Sequence, residues 1–364
     1  MACARIEAME TLPPLYPLRL ERKLDHRLWG GSRLAAWLGL PQPWPTDLAE
    51  SWQVYAENRV LNGPLAGRTL AAIARDYGPA LLGTLSPRHY GHDFPLLAKF
   101  IDANDRLSIQ VHPDDAYAHT VEAHTGFHGK TEAWYIIAAE PGAGLVYGLR
   151  RATTPAEFRQ AVAEGRLEEL IHIVPVQAGD VIFVPAGTLH AINAGILLFE
   201  IQQKSDLTYR VYDYGRRDGQ GRLRELHLDK ALAVLDFRPA GPAQVPPLPL
   251  APGHDLLVAC PYFALERLRG GEYTLAPQPT SFEIHTLIAG RAEIAGETLA
   301  PGESLVLPAA RDACAVRLSA DALLLRCYVP DLPNELWPRL QALGYDEARI
   351  AHTIRTPSPG AHTR

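Results

Sequence analysis

The sequence predicts a mainly β protein made of two jelly-roll β-barrels with a few short helices. Short apolar runs bounded by Gly and Pro recur along most of the chain, as is typical of strands. One motif occurs in both halves: residues 179–187 are Gly-Asp-Val-Ile-Phe-Val-Pro-Ala-Gly, and residues 302–310 are Gly-Glu-Ser-Leu-Val-Leu-Pro-Ala-Ala. Between the two copies, the Pro-rich residues 237–249 indicate a linker. We therefore expect one barrel on each side of this linker.

The first half of the chain combines predicted strands with one clear helix. Residues 67–78 predict the helix, because Thr69 can cap its start and Gly78 can end it. Residues 29–33, with two adjacent glycines, favour a loop. The strand-like segments of this half are residues 49–54, 94–101, 107–113, 132–137 and 180–201.

A small helical insertion is expected between strands of the first barrel, at about residues 154–170. Thr154 and Glu157 form a capping-box pattern, and Pro155 occupies the first helical position. We expect this helix to run to about Leu170. The insertion therefore adds one helix to the barrel and leaves its strand pattern intact.

The second half of the chain predicts strands from residue 262 to residue 329. A helix is expected at about residues 334–351, followed by a loose tail at residues 353–364. The resulting division has an N-terminal metal-binding domain (1–236), a linker (237–250), a C-terminal barrel without metal ligands (251–330), and a terminal helix and tail (331–364).

Composition excludes several classes of function. The chain has 364 residues, 47% hydrophobic and 21% charged, with a net charge of −6, so nothing global attracts nucleic acid or an anionic membrane. Four scattered cysteines form no metal or disulfide pattern and favour a reducing, cytoplasmic location. Residues 1–10 lack the apolar core of a signal peptide. We expect a small-molecule substrate, and a monomer or weak homo-oligomer.

Four side chains form the strongest candidate site: Gln110, His112, Glu132 and His190. Gln110 and His112 are two residues apart, so on a strand both point to one face. Glu132 opens the next apolar run, and His190 follows a tight Pro-Ala-Gly turn. An amide oxygen, two imidazoles and a carboxylate suit Zn²⁺. A lone strand histidine is usually only a packing residue, so the prediction depends on the turn-plus-histidine pattern around His190.

The second copy of the motif lacks the ligand. Ala313 stands where His190 stands in the first copy, and His285 has no matching Gln-x-His pair near it. We therefore expect one metal ion per chain, held by the first barrel, and a structural role for His285.

The chain resembles the type I mannose-6-phosphate isomerases (phosphomannose isomerases) of the cupin superfamily, from about residue 18 to about residue 330. The motif around His190 follows the second cupin motif: Gly, five residues, Pro-x-Gly, two residues and His. The segments that carry the resemblance are residues 96–100 (Leu-Leu-Ala-Lys-Phe), 107–113 (Leu-Ser-Ile-Gln-Val-His-Pro), 129–132 (Gly-Lys-Thr-Glu), 184–191 (Val-Pro-Ala-Gly-Thr-Leu-His-Ala) and 205–214 (Ser-Asp-Leu-Thr-Tyr-Arg-Val-Tyr-Asp-Tyr).

The resemblance implies roles for individual residues. The four donors named above match residues that bind one zinc ion in the family. Arg210 matches the proposed catalytic arginine, Lys130 and Asp206 match active-site residues, and Ser108 matches a serine near the sugar phosphate. Many relatives have histidine where this chain has Gly129, which weakens any mechanism that requires that histidine as the base.

The resemblance implies interconversion of mannose 6-phosphate and fructose 6-phosphate, with a proton moving between C2 and C1 through a cis-enediol. Arg210 presents a planar fork of donors suited to an enediolate or a phosphate. Lys130 would share the face of Glu132, which makes it a candidate acid or base. Asp206 and Arg210 would form an ion pair if the segment is helical, or face one side if it is extended. A purely structural salt bridge remains open for that pair.

Further charges and histidines surround these motifs. Lys99 and Lys204 would add positive charge near the site, but they could equally be rim charges, and we leave them outside the catalytic set. The irregular spacing of His119, His124 and His128 favours a loop over the pocket rather than a second metal site.

Two other functions compete with the isomerase. A non-catalytic sugar-binding or sugar-sensing bicupin would need neither Arg210 nor Lys130. A metal-dependent oxygenase would typically show two histidines and one carboxylate around Fe(II), without Gln110 or the segment at residues 205–210. Since fold alone does not separate these functions, the side chains of the site must.

Overall fold

A computed structural model describes residues 12–217 and 220–355 of the chain. The predictions for residues 1–10 and for most of the C-terminal tail concern residues outside these ranges. Among the described residues, no helix is long and apolar enough to cross a bilayer.

Antiparallel strands account for most of the regular structure. In chain order they are β1 (Leu18–Arg19), β2 (Lys23–Gly31), β3 (Leu48–Val54), β4 (Leu96–Ala103), β5 (Ile109–Val111), β6 (Glu132–Ala139), β7 (Gly144–Leu149), β8 (Ile171–Pro175), β9 (Val181–Val184), β10 (His190–Ile192), β11 (Ile196–Gln203), β12 (Tyr209–Tyr212), β13 (Leu248–Ala251), β14 (His254–Ala259), β15 (Ala264–Leu275), β16 (Glu283–Ala289), β17 (Ala292–Ile294), β18 (Glu297–Leu299), β19 (Ser304–Leu307) and β20 (Cys314–Tyr328).

The helices are short and lie between or after the strands. They are α1 (Arg33–Trp37), α2 (Leu70–Tyr77), α3 (Pro79–Leu82), α4 (Ser86–Tyr90), α5 (Asp115–Thr120), α6 (Pro155–Ala163), α7 (Leu228–Val234), α8 (Trp337–Ala342) and α9 (Glu347–Thr353). The mainly β prediction is therefore confirmed.

Two sheets form the first barrel. One has the strand order β2-β3-β4-β11-β6-β9, and the other has the order β12-β5-β10-β7-β8. Apolar side chains of both sheets, among them Trp134, Leu145 and Leu198, pack into one cluster between them. This packing holds the inner faces of β5, β6 and β10 close together, where the candidate ligands lie.

A nine-stranded sheet forms the second barrel. Its main order is β1-β19-β16-β20-β15-β14-β13, and β17 and β18 are attached to it through β20. β1 comes from the N-terminal part of the chain and pairs with β19. β13 begins at Leu248, within the last residues of the expected linker, and pairs with β14.

The two barrels share a hydrophobic core cluster. Phe94 and Phe282, which belong to different barrels, are fully buried with ring centroids 4.5 Å apart. Removing either ring would cost about 3–5 kcal/mol of stability, as for other buried Phe side chains. The second barrel therefore supports the first by packing.

Helix starts follow the predicted caps more closely than helix ends do. The Thr69 side chain accepts a hydrogen bond from Ala72 N in α2, and Thr154 accepts one from Glu157 N in α6. The prediction that α6 reaches Leu170 is wrong, because Gly165 adopts a φ of +70° and the chain turns there.

Two further local predictions are wrong. Residues 29–31 belong to β2 rather than to a loop, and an ideal Cβ at Gly30 would lie 2.3 Å from the carbonyl oxygen of Asp47, so the glycine permits close strand approach. The segment predicted as one helix at residues 334–351 is instead a short π-helix (Leu332–Leu336) followed by α8 and α9, which separate at Gly344, where φ is +85°.

Candidate active site

Strand register places three predicted site residues side by side. β5 lies between β12 and β10, and Gln110 is the register partner of Arg210 on one side and of His190 on the other. Residues opposite each other on antiparallel strands point to the same face of the sheet. A single row therefore joins the candidate catalytic arginine to two candidate metal ligands.

His112, Glu132 and His190 converge in the buried space between the two sheets. His112 Nε2 lies 3.4 Å from Glu132 Oε1, and His190 Nε2 lies 3.7 Å from Glu132 Oε2. All three side chains are about 1% exposed, and their potential ligand atoms lie within 4.8 Å of one another. The arrangement brings two imidazoles and a carboxylate to one point, as the sequence predicts.

Hydrogen bonds orient both imidazoles toward that point. His112 Nδ1 lies 2.8 Å from the carbonyl oxygen of Leu207, and His190 Nδ1 lies 2.8 Å from that of Thr188. A carbonyl oxygen can only accept a hydrogen bond, so each Nδ1 donates and each Nε2 is the unprotonated nitrogen, with its lone pair directed inward. This pattern is typical of histidines that bind metals.

Burial keeps these imidazoles neutral. Burial, followed by the neighbouring Lys130 ammonium, lowers the pKa of His112 to about 3. Burial also lowers the pKa of His190, although the Glu132 carboxylate opposes this effect. Neutral imidazole is the form that binds a metal ion.

Glu132 supplies a negative charge at the same point. Burial by itself would raise the pKa of Glu132, but the Lys130 ammonium and His112 hold it well below its usual range. Lys130 Nζ lies 2.8 Å from Glu132 Oε1 and 3.3 Å from His112 Nε2, yet Glu132 Oε1 receives no well-aligned hydrogen bond. The ligand atoms of Glu132 and His112 therefore both lie against a positive charge. A buried carboxylate oxygen without a hydrogen bond is also compatible with a bound metal cation.

Gln110 and Ser108 connect this centre to Arg210. Gln110 Nε2 lies 3.4 Å from His190 Nε2, and a half-turn of the amide would present the oxygen that a metal ion requires. Ser108 Oγ lies 3.4 Å from Gln110 Oε1 and accepts a hydrogen bond from Arg210 Nε at 3.3 Å. Ser108 therefore lies between the candidate metal ligands and the guanidinium.

A cavity of about 320 Å³ opens over this centre. Its polar lining consists of five basic and four acidic side chains together with Ser108, Gln110, His190 and Thr208; the charged ones are Arg27, Lys99, Lys130, Arg210, Arg224, Glu50, Glu132, Glu200 and Asp206. A bound divalent cation would leave the cavity with a clear positive charge. The site therefore suits an anionic ligand of small size, although the whole chain is acidic.

A buried charged triad, formed by Glu50, Lys99 and Glu200, was missed by the sequence analysis as part of the site. Lys99 Nζ lies 3.2 Å from Glu50 Oε2 and 3.2 Å from Glu200 Oε1. Trp52 donates its indole N–H to Glu50, and Trp134 donates its own to Glu200. Lys99 is thus a buried residue of the cavity rather than a rim charge.

The triad holds its charges in unusual states. Burial by itself would lower the pKa of Lys99, but Glu200 and Glu50 raise it, so the ammonium persists. Burial and the nearby Glu132 carboxylate raise the pKa of Glu200 to about 7. A carboxyl group that titrates near neutrality inside a polar cavity is typical of functional sites. The signal in the sequence was a charged side chain inside a largely apolar strand, Lys99 in β4 and Glu200 in β11.

Other predicted residues take less central positions. Asp206 is exposed at the edge of the cavity in a non-helical segment, and among the described residues no ion pair joins it to Arg210. Lys204 does not line the cavity; its Nζ lies 4.0 Å from Asp93. The predicted loop over the pocket is wrong: His119 belongs to α5, His124 to a short 3₁₀ turn and His128 to the segment before β6, and none of the three is among the lining residues.

The second barrel contains a buried group of ion pairs. Arg326 Nε lies 2.9 Å from Glu283 Oε2, and Arg326 Nη1 lies 2.7 Å from Glu266 Oε2. Arg311 also contacts Glu283, and His285 Nε2 lies 2.7 Å from Glu283 Oε2. Two guanidinium groups therefore neutralise the carboxylates that a metal ion would need.

Comparison with known proteins identifies relatives of this arrangement. Residues 17–136 match a family model described as phosphomannose isomerase type I, catalytic domain. The mannose-6-phosphate isomerase of Streptococcus mutans is 37% identical over 303 residues, which cover 80% of this chain and 92% of that protein.

Solved structures with the same fold include two isomerases. The crystal structure of the Bacillus subtilis mannose 6-phosphate isomerase matches with a TM-score of 0.76 and 32% identity, covering 85% of this chain and 99% of that one. A zinc-bound mannose 6-phosphate isomerase matches with a TM-score of 0.69 and 17% identity, covering 86% and 99%. The second likeness concerns the fold alone.

Proposed function

The chain belongs to the type I mannose-6-phosphate isomerase family, and we propose that it interconverts mannose 6-phosphate and fructose 6-phosphate through a cis-enediol, using one zinc ion. The single observation that carries this proposal is the convergence of His112, Glu132 and His190 at one point, on a cavity that Glu132 and His190 line together with Lys130 and Arg210. A zinc-bound relative with the same fold supports the choice of metal.

We assign the metal-holding role to Gln110, His112, Glu132 and His190. Their donor types suit zinc, and both histidines are fixed by hydrogen bonds from Nδ1 to backbone carbonyls. When bound, zinc would supply a Lewis acid that polarises the sugar oxygens and orients them.

We assign to Arg210 the binding of negative charge at the open side of the site. One of its guanidinium nitrogens, Nη1, donates to the carbonyl oxygen of Glu225 at 2.9 Å, and Nε donates to Ser108. These two hydrogen bonds fix the plane of the group, and the remaining N–H donors can reach an enediolate or a phosphate. Arg224 and Arg27 line the same side of the cavity, so three guanidinium groups are available there, and we assign this side to the phosphate of the substrate.

Lys130 is the candidate acid or base of the proton transfer. Its ammonium is buried and lies 2.8 Å from Glu132 Oε1, at the centre of the site rather than on the surface. Asp206 lies at the cavity edge, where its carboxylate can accept a hydrogen bond from a sugar hydroxyl. A non-catalytic sugar-binding protein would need neither a buried lysine nor a fixed arginine at this point.

Chelation is expected to abolish isomerase activity, because the proposed reaction needs the ion to orient and polarise the sugar. Purified protein is assayed with mannose 6-phosphate in a coupled assay for fructose 6-phosphate, before and after treatment with a chelator. Zn²⁺ or another divalent ion should restore the rate. Undiminished turnover by protein that elemental analysis shows to be free of metal would contradict the proposal.

Changing Lys130 to methionine is expected to reduce kcat by roughly 10²–10⁴-fold, the usual contribution of general acid–base catalysis. Methionine fills similar space but cannot transfer a proton. The pH profile of kcat is measured together with metal content and a melting curve.

The matched control is Lys204→Met, which alters a lysine outside the cavity and should leave kcat unchanged. A Lys130→Met variant that binds metal, melts normally and turns over within a few-fold of wild type would show that Lys130 has no catalytic role.

A further inference from the structure

A second group of metal-ligand side chains lies outside the catalytic cavity. Asp115 and His119 belong to α5, and His128 belongs to the segment before β6. Their potential ligand atoms lie within 4.8 Å of one another, and His119 Nε2 lies 2.8 Å from His128 Nδ1. None of the three lines the catalytic cavity.

A close backbone approach at Gly129 creates this cluster. A Cβ at Gly129 would lie 2.5 Å from both Asp114 C and Asp115 N, so no side chain fits there. The absence of a side chain lets the segment before β6 pack against the N-terminus of α5. Gly129 N also donates a hydrogen bond to Asp115 Oδ1, and this contact places the neighbouring His128 beside Asp115.

Two of the three side chains are held in place by surrounding hydrogen bonds and packing. Asp115 Oδ1 accepts hydrogen bonds from Gly129 N at 2.8 Å and from Gln203 Nε2 at 3.1 Å. Ser205 Oγ donates to the carbonyl oxygen of His128 at 2.6 Å, and the His128 ring packs edge-on against Tyr90. Such supporting contacts orient ligands in metal sites. The third residue, His119, is exposed and can adjust.

We propose that Asp115, His119 and His128 form a second, weaker site for a divalent transition-metal ion such as Zn²⁺, Co²⁺ or Ni²⁺. Two imidazole nitrogens and one carboxylate oxygen suit these ions better than Mg²⁺ or Ca²⁺, which prefer oxygen ligands. A small rotation of the exposed His119 side chain would separate the two ring nitrogens enough to admit the ion. Three protein ligands leave coordination positions for water.

The site would serve to connect parts of the fold rather than to carry out chemistry. An ion there would link α5 to the segment that leads into β6, the strand that begins with Glu132. It is weaker than the His112–Glu132–His190 centre, because His119 is exposed and the cluster is open to solvent. We therefore expect the ion to leave on dialysis, whereas the ion of the buried centre stays.

Titration with Co²⁺ tests the site in protein whose buried centre is already loaded with zinc. Co²⁺ bound by imidazole and carboxylate gives visible absorption, so its binding can be followed directly. Wild type should bind one further equivalent, and His119→Ala should bind none. His124→Ala is the matched control, since His124 is exposed on the same segment but lies outside the cluster; it should bind like wild type.

A His190→Ala background separates this site from the catalytic one. In this background the proposed site should still bind one equivalent of Co²⁺. Separately, the isomerase activity of His119→Ala should equal that of wild type. Elemental analysis of the zinc before and after titration excludes simple exchange at the buried centre. No further Co²⁺ binding by wild type, or equal binding by wild type and His119→Ala, would overturn the proposal.

Discussion

Changing His190 to alanine is expected to remove the tightly bound metal ion and to reduce isomerase turnover to background. The side chain supplies one of two buried imidazoles, and its Nε2 faces Glu132 at 3.7 Å. With His190 gone, one imidazole, one carboxylate and the weak amide oxygen of Gln110 remain, which is a poorer donor set than the nitrogen-rich ligands of a tight zinc site. The measurements are elemental analysis after dialysis, the coupled assay, and a melting curve that shows the variant to be folded.

The second barrel supplies the controls for this variant. His285→Ala should lower the melting temperature, because His285 is fully buried against Glu283, but the folded protein should keep its metal. His254→Ala tests the same point at a less buried position of that barrel. Retention of metal by His190→Ala, or loss of it in the second-barrel variants, would show that the metal is not held by the first barrel.

Changing Arg210 to lysine is expected to leave metal and fold intact while turnover falls roughly 10²–10³-fold, the range seen when one charge-stabilising donor is removed from an active site. Lysine keeps the positive charge but cannot present a planar fork, and it cannot hold both Ser108 and the carbonyl oxygen of Glu225 in the same geometry. The measurement is kcat and KM for mannose 6-phosphate, with metal content and a melting curve.

The split between the two kinetic constants distinguishes two roles of the guanidinium. A fall in kcat indicates contact with the reacting part of the sugar, whereas a rise in KM alone indicates a grip on the phosphate. Arg216→Lys is the control, because Arg216 belongs to the same segment of the chain but does not line the cavity. A kcat and KM within a few-fold of wild type for Arg210→Lys would make Arg210 a structural residue.

Local patterns in the sequence were sufficient to group the candidate ligands. Gln110 and His112 alternate on a strand, and the turn before His190 has a recognisable spacing, so both can be located without knowledge of the fold. The structure then brings His112, Glu132 and His190 together as expected. Their role as metal ligands remains a prediction that the variants above test.

The triad of Glu50, Lys99 and Glu200 was beyond the reach of such patterns. Each residue is a charged side chain in a largely buried strand, and nothing near it in sequence identifies its partner. The pairing depends on which strands become neighbours and in what register: Lys99 is opposite Glu200 on one side and Trp52 on the other. Register of this kind is set by the packing of whole sheets.

The ends of the helices were also harder to predict than their starts, because they depend on more than the local sequence. The caps at Thr69 and Thr154 are local and were predicted correctly. Gly165 and Gly344 end helices because the chain adopts positive φ at these positions, but a glycine in a helical pattern can also be tolerated without ending it. Only the path of the following chain decides between these outcomes.

Gln110 lies between Arg210 and His190, so a change in the pairing register of β5 would disrupt metal binding and the alignment of the arginine at the same time. β5 has three residues, and Gln110 is the middle one. A shift by one residue would turn Gln110 toward the opposite face and break its alignment with both neighbours. Molecules folded in a wrong register would therefore lack the ion and the aligned arginine together. In a heterogeneous preparation, the metal that stays bound after dialysis then measures the active fraction, and activity per retained ion stays constant while activity per milligram varies.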